Sequence, residues 1–169
     1  SNFNFEEMNT MYFDVLKEIG NIGAGNATTA IANMLGLKVD MSVPRVELLG
    51  FQELSTAIGP EDEVIAGIYL EVQEDITGSM MFLMNLDSAH YLVNTLMGRD
   101  PSYNEEFDEM DFSALKEIGN IIGGSYLSAL SGLTNLKIVP SVPALAIDME
   151  WKIIFYIIYI MNHIMKVIY

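Results

Sequence analysis

Two carboxylate–carboxamide pairs, Glu18 with Asn21 and Glu117 with Asn120, have the residue types and spacing that could do chemistry. Each pair lies in the same seven-residue run, Leu-Lys-Glu-Ile-Gly-Asn-Ile. Residues three apart on a helix are surface neighbours, so each run presents an acid beside an amide. That is one fixed charge and one neutral group that both donates and accepts hydrogen bonds. The plainer reading is that both glutamates are ordinary solvated helix residues and the asparagines are leftovers of a duplication. Against it, both pairs persist where neighbouring surface positions have diverged, Asn26 to Ser125 and Asn33 to Gly132.

The element that positions the first pair is a helix over 12–35. Its apolar side is Leu16, Ile19, Gly23, Ala27, Ala30 and Met34, at steps of three and four. At about 100° per residue, Asp14, Glu18, Asn21 and Gly25 fall in a stripe on the other side. The second helix repeats this with Leu115, Ile118, Ile122 and Ala129 inside and Ser113, Glu117, Asn120 and Gly124 outside. Gly20, Gly23 and Gly25, with Gly119, Gly123 and Gly124, each cost a helix interior about 1 kcal/mol relative to alanine. Something must approach these backbones closely. On the buried side that is another helix or the sheet; at Gly25 and Gly124 a docking protein is expected.

Residues 14–50 align with residues 113–149 without a gap, and 14 of the 37 pairs are identical. A second anchor, Ser-Val-Pro, recurs at the same distance downstream, ending in Pro44 and Pro143. This is an internal duplication offset by 99 residues, expected to fold with pseudo-two-fold symmetry. Strands are expected over 64–72 and 77–83, with turn residues 73–75 between them. Asn85 or Asp87 caps a helix running to about Met97 and closed by Gly98. Repeat 1 thus spans about 8–98, an acidic linker about 99–111, and repeat 2 about 112–149. The counterpart of the hairpin and following helix would need residues beyond 169, so the second repeat reads as incomplete.

These residues resemble a known family pattern. The CheC/CheX/FliY phosphatases share Asp or Ser, three residues, Glu, two residues, Asn, then 22 residues and Pro. Asp14, Glu18, Asn21 and Pro44 match it, and Ser113, Glu117, Asn120 and Pro143 match it again. Two intact copies place the chain nearest the CheC branch, since CheX-like members keep one functional site. The resemblance implies an α/β (α+β) fold with two long motif helices on one face of a largely antiparallel sheet. It implies a protein aspartyl-phosphate phosphatase acting on phosphorylated CheY, with no cofactor of its own because the receiver holds the Mg2+. In the family, the Asn positions a water for in-line attack, and the Glu pairs with the receiver's lysine. Asn21 and Asn120 are thereby the water-orienting residues, and Glu18 and Glu117 the docking ones. A neutral amide can suffice because phosphoryl transfer needs chiefly positioning and charge stabilisation. Asp14 and Ser113 are read as helix-start support, and Pro44 and Pro143 as structural residues entering a strand. The family also binds CheD, through a second-repeat helix that would lie beyond residue 169. The alternative is a non-catalytic scaffold module of the flagellar switch, of the FliM/FliY type.

Composition narrows the field further. Of 169 residues, 23 are acidic and 8 basic, a net charge of −15 that argues against a nucleic-acid partner. There is no cysteine, which excludes a thiol nucleophile, a disulfide framework and a thiolate metal site. His90 and His163 are the only imidazoles and have no suitable neighbours in sequence for a metal. The N-terminus shows no secretory signal, and a cytoplasmic location is expected. Residues 150–169 depart from the family: isoleucine fills seven of twenty positions, with no Gly, Pro, Ser, Thr or Ala. Nearly all of these residue types have AT-rich codons, as a frameshifted or truncated end would give. Lys152, Asn162, His163 and Lys166 interrupt the run, so membrane insertion is not expected. An apolar tail covering the sheet, or a homo-oligomer formed through it, is expected instead.

Overall fold

The computed structural model describes residues 5–39, 63–149 and 152–153. Helix α1 spans Phe5–Leu35, strand β1 Val64–Glu74, β2 Gly78–Asn85 and helix α2 Leu86–Met97. Helix α3 spans Glu109–Thr134, followed by the short strands β3 Ile138–Pro140 and β4 Ala144–Met149. The sheet runs β2-β1-β3, and β4 also pairs with β1. This mixture of helices and antiparallel sheet is the fold class expected from the motifs. Two compact units divide these elements, and both β1 and α3 run through the division.

The first unit holds α1, the second half of β1 from Tyr69, the start of β2, α3 from Lys116, and β3. Here β1 alternates: Leu70 and Val72 point inward while Glu71 and Gln73 face water, the period-two pattern of a half-covered sheet. Val72, Leu127 and Ile138 form the core, with Ile76, Met80, Tyr126, Leu130 and Leu136 packed around it. Strand β3 runs antiparallel to β1, pairing Val72 with Pro140 and Glu74 with Ile138. That pairing carries β1 through Glu74, so the turn falls at 75–77, two residues later than expected. Asp75 closes it from outside the hairpin: its N–H donates to the Lys137 carbonyl, and its carboxylate accepts from the Lys137 N–H. Both motif helices in this unit end on left-handed residues at equivalent repeat positions, Gly36 (φ 65°) and Asn135 (φ 56°).

The second unit holds the first half of β1, most of β2, α2, the opening turns of α3, and β4. Its core is Ala66, Ala89, Val93, Ala114 and Leu115, ringed by Met84, Leu96, Phe107, Leu145 and Ile147. Helix α2 is bounded as expected: the Ser88 N–H donates to Asn85 Oδ1 at 2.9 Å, and Gly98 adopts φ 65°. Helix α3 begins inside the segment read as linker, because Asp108 and Asp111 cap it reciprocally. Asp108 Oδ1 accepts from the N–H groups of Met110 and Asp111, while Asp111 Oδ2 accepts from the Asp108 N–H. The other Asp111 oxygen accepts from the Arg99 guanidinium at 2.5 Å, so this buried carboxylate is fully partnered. Of the apolar tail, residues 152–153 are helical, and Ile153 closes over Gly67, where an added Cβ would lie 3.3 Å from its Cγ2. The tail expectations for residues 154–169 lie outside the described residues. No helix among the described residues is long and apolar enough to cross a membrane.

Candidate functional site

Glu18 and Asn21 on α1, and Glu117 and Asn120 on α3, all belong to the first unit. Helical periodicity places them where the sequence puts them, opposite the buried side. Ala27 and Ile31 on α1 are buried, as are Leu115, Ile118 and Ala129 on α3. Glu18, Glu117 and Asn120 are exposed, whereas Asn21 is half-buried, so the two copies are not equally open. None of the four has a hydrogen-bond or ion-pair partner among the described residues. Their side-chain donors and acceptors thus have no partner among the described residues.

The glycines sort into two groups. An added Cβ at Gly23 would lie 2.5 Å from Cδ2 of Tyr126, and one at Gly123 would lie 2.9 Å from Cδ1 of Leu70. These two are packing glycines: Gly23 admits the Tyr126 ring between α1 and α3, and Gly123 lets α3 settle onto β1. Gly20 and Gly119 are also buried. Gly25 and Gly124, one turn beyond the asparagines, have no atom within 4 Å of an added Cβ. Each leaves smooth backbone beside the pair, where a partner can come close.

The supporting residues divide. Asp14 and Ser113 do not start the helices, since α1 begins at Phe5 and α3 at Glu109. Both are exposed on the stripe, and the Ser113 hydroxyl donates back to the Glu109 carbonyl; the capping role falls to Asp108. Pro143 is buried directly ahead of β4, and Ser141 pins this anchor to β1. Its N–H donates to the Glu71 carbonyl, and its Oγ accepts from the Glu71 N–H. Pro44 lies outside the described residues. Among the described residues no group of three or more His, Asp or Glu side chains converges as a metal site. Tyr126, which spaces the two motif helices, carried no mark in the sequence beyond its facing a run of small residues.

Each of two glycine-punctuated helices thus carries one Glu–Asn pair, with Asn21 alone of the four residues half-buried. The chain belongs to the CheC-like family, whose pattern matches residues 11–48 and 110–147. It is 44% identical over 144 residues to the CheY-P phosphatase CheC of Bacillus subtilis (strain 168), a match taking in 83% of this chain and 68% of that protein. Among solved structures, the X-ray structure of Thermotoga maritima FliY aligns with a TM-score of 0.72 at 25% identity, covering 88% of this chain and 72% of that one. A chain of the FliM–SpeE complex of H. pylori aligns with a TM-score of 0.63 at 14% identity, over 86% of this chain and 71% of that one. The last is a likeness of fold alone.

Proposed function

We propose that this chain accelerates hydrolysis of the phospho-aspartate of a CheY-type response regulator. The observation that carries this reading is the doubled pair: Glu18–Asn21 and Glu117–Asn120, whose side chains have no partner among the described residues, on helix faces that keep the family spacing. The 44% identity to a protein named CheY-P phosphatase supports it. In the reaction, a water oxygen attacks phosphorus in line, the bond from phosphorus to the aspartyl oxygen breaks, and the carboxylate leaves. Asn21 and Asn120 orient the water, accepting from it through the carboxamide oxygen while the NH2 group donates towards the phosphoryl oxygens. Glu18 and Glu117 hold a cationic side chain of the receiver and thereby fix the approach. The receiver supplies the Mg2+ that neutralises developing charge, so this chain contributes positioning rather than a nucleophile. A cytoplasmic location follows from that partner. The FliM-like alternative, a scaffold without chemistry, shares the fold, and no feature of the two pairs favours it.

Phosphate release from phosphorylated CheY, followed at increasing concentrations of this chain, tests the reading. Saturable acceleration is expected; none at any concentration would refute it. Binding of CheD and self-association through residues 150–169 belong to the same reading. Co-elution with CheD, and the solution mass of a chain ending after Glu150, test those two in turn.

A further inference from the structure

The two motif helices share a feature ahead of the Asp/Ser–Glu–Asn–Pro motif. Seven residues before each glutamate stands a methionine, Met11 on α1 and Met110 on α3. Both are among the most exposed large apolar residues of the described chain, at 63% and 59% of full exposure. Seven residues are nearly two whole turns, so Met11, Glu18 and Gly25 line up along one side of α1, about 10.5 Å apart in successive steps. Met110, Glu117 and Gly124 repeat the line on α3. Not every outward position survived duplication: Val15 is half exposed, whereas its counterpart Ala114 is buried. A single exposed methionine is ordinary surface. Two of them, at the same register from the same functional residues, call for a common contact.

We propose that Met11 and Met110 are apolar anchors for the phosphorylated receiver, each docking one end of a stripe whose middle is the glutamate and whose far end is the open glycine. The inference rests on the phosphatase reading and specifies the shape of its partner. That partner presents a cation for the glutamate and, about 10.5 Å away along the helix axis, an apolar surface patch for the methionine. Methionine suits this role because its unbranched thioether adapts to irregular apolar surface. The stripe is continuous with the Glu–Asn pair, and a partner lying over the pair with its length along the helix covers the methionine as well. Neither methionine touches the phosphoryl group, so each contributes to docking and not to the bond-breaking step.

The test compares wild type with Met11→Ala plus Met110→Ala, and with Met11→Leu plus Met110→Leu, in steady-state hydrolysis of phosphorylated CheY. The alanine variant is expected to raise KM about tenfold, equivalent to about 1.4 kcal/mol, with kcat unchanged. The leucine variant should restore most of the affinity. Both should keep the wild-type Tm, since the side chains are exposed. An unchanged KM in the alanine variant of an active protein overturns the anchor and leaves the phosphatase reading standing. A fall in kcat at unchanged KM also overturns it. A wild-type chain that neither accelerates hydrolysis nor binds beryllofluoride-loaded CheY removes the reading and the anchor together.

Discussion

Adding a single methyl group at Gly23 separates packing from propensity on the first motif helix. Alanine is the better helix former by about 1 kcal/mol, so the substitution should stabilise an isolated α1. In the folded protein the new Cβ would lie 2.5, 2.6 and 2.9 Å from Cδ2, Cε2 and Cγ of Tyr126. Carbon pairs rest at about 3.5–4.0 Å, so the ring must retreat by about 1 Å. Cγ is the root of the ring, and the retreat therefore shifts the whole side chain or the helix. Overpacking of this kind costs about 1–3 kcal/mol, which outweighs the propensity gain in most of its range. A net loss of about 1 kcal/mol lowers Tm by about 2–4 °C in a protein of this size. Gly25→Ala is the control, because nothing lies within 4 Å of its added Cβ. It should raise Tm by about the same amount. Thermal unfolding by circular dichroism of both variants, and of Gly23→Ala with Tyr126→Ala, decides the matter. A Gly23→Ala protein at or above wild-type stability, or an undiminished penalty once the ring is removed, would refute the contact.

Asn21→Ala with Asn120→Ala should abolish accelerated phosphate release while leaving Tm unchanged within about 2 °C, and either single replacement should leave part of the rate. Asp111→Ala strips the partner from the Arg99 guanidinium and leaves the Asp108 N–H unsatisfied; urea unfolding should show a loss of about 2–3 kcal/mol. The Asp108 carboxyl is held below its ordinary value of 3.8, chiefly by the Asp111 N–H that donates to it. Its folded value is depressed, so its stabilisation is present above about pH 4 and disappears as pH falls through the lower folded value. Asn also caps helices well, so Asp108→Asn should match wild type at pH 6 and show a shallower loss of urea midpoint as pH falls below about 4.

What could be read from sequence was whatever depends on neighbours along the chain. The α2 boundaries follow from Asn85 and Gly98, and the inner and outer sides of α1 and α3 follow from helical period. The double Glu–Asn pair was legible for the same reason, helped by its repetition. The features that escaped depend on residues far away in sequence. The hairpin turn moved because β3, some 65 residues later, pairs with the end of β1. The start of α3 was hidden in an acidic segment because Asp108 and Asp111 form a capping box with aspartate where glutamate is usual. Reading that segment as linker treated both acids as solvated, and the buried one is the partner of Arg99.

The Gly23–Tyr126 contact also says something about how a duplicated gene became one protein. Shifted by 99 residues, Gly23 corresponds to Ile122 and Tyr126 corresponds to Ala27. The first helix is therefore small at the two positions where the second is large, and the two copies meet as bump and hollow. Two first helices brought together there would leave an unfilled gap, and two second helices would collide. Each copy has thus been committed to its sibling in the same chain and has lost the capacity to pair with its own kind. The contact positions Gly23 and Ala27 thus differ from Ile122 and Tyr126, whereas Glu18, Asn21 and Gly25 recur as Glu117, Asn120 and Gly124.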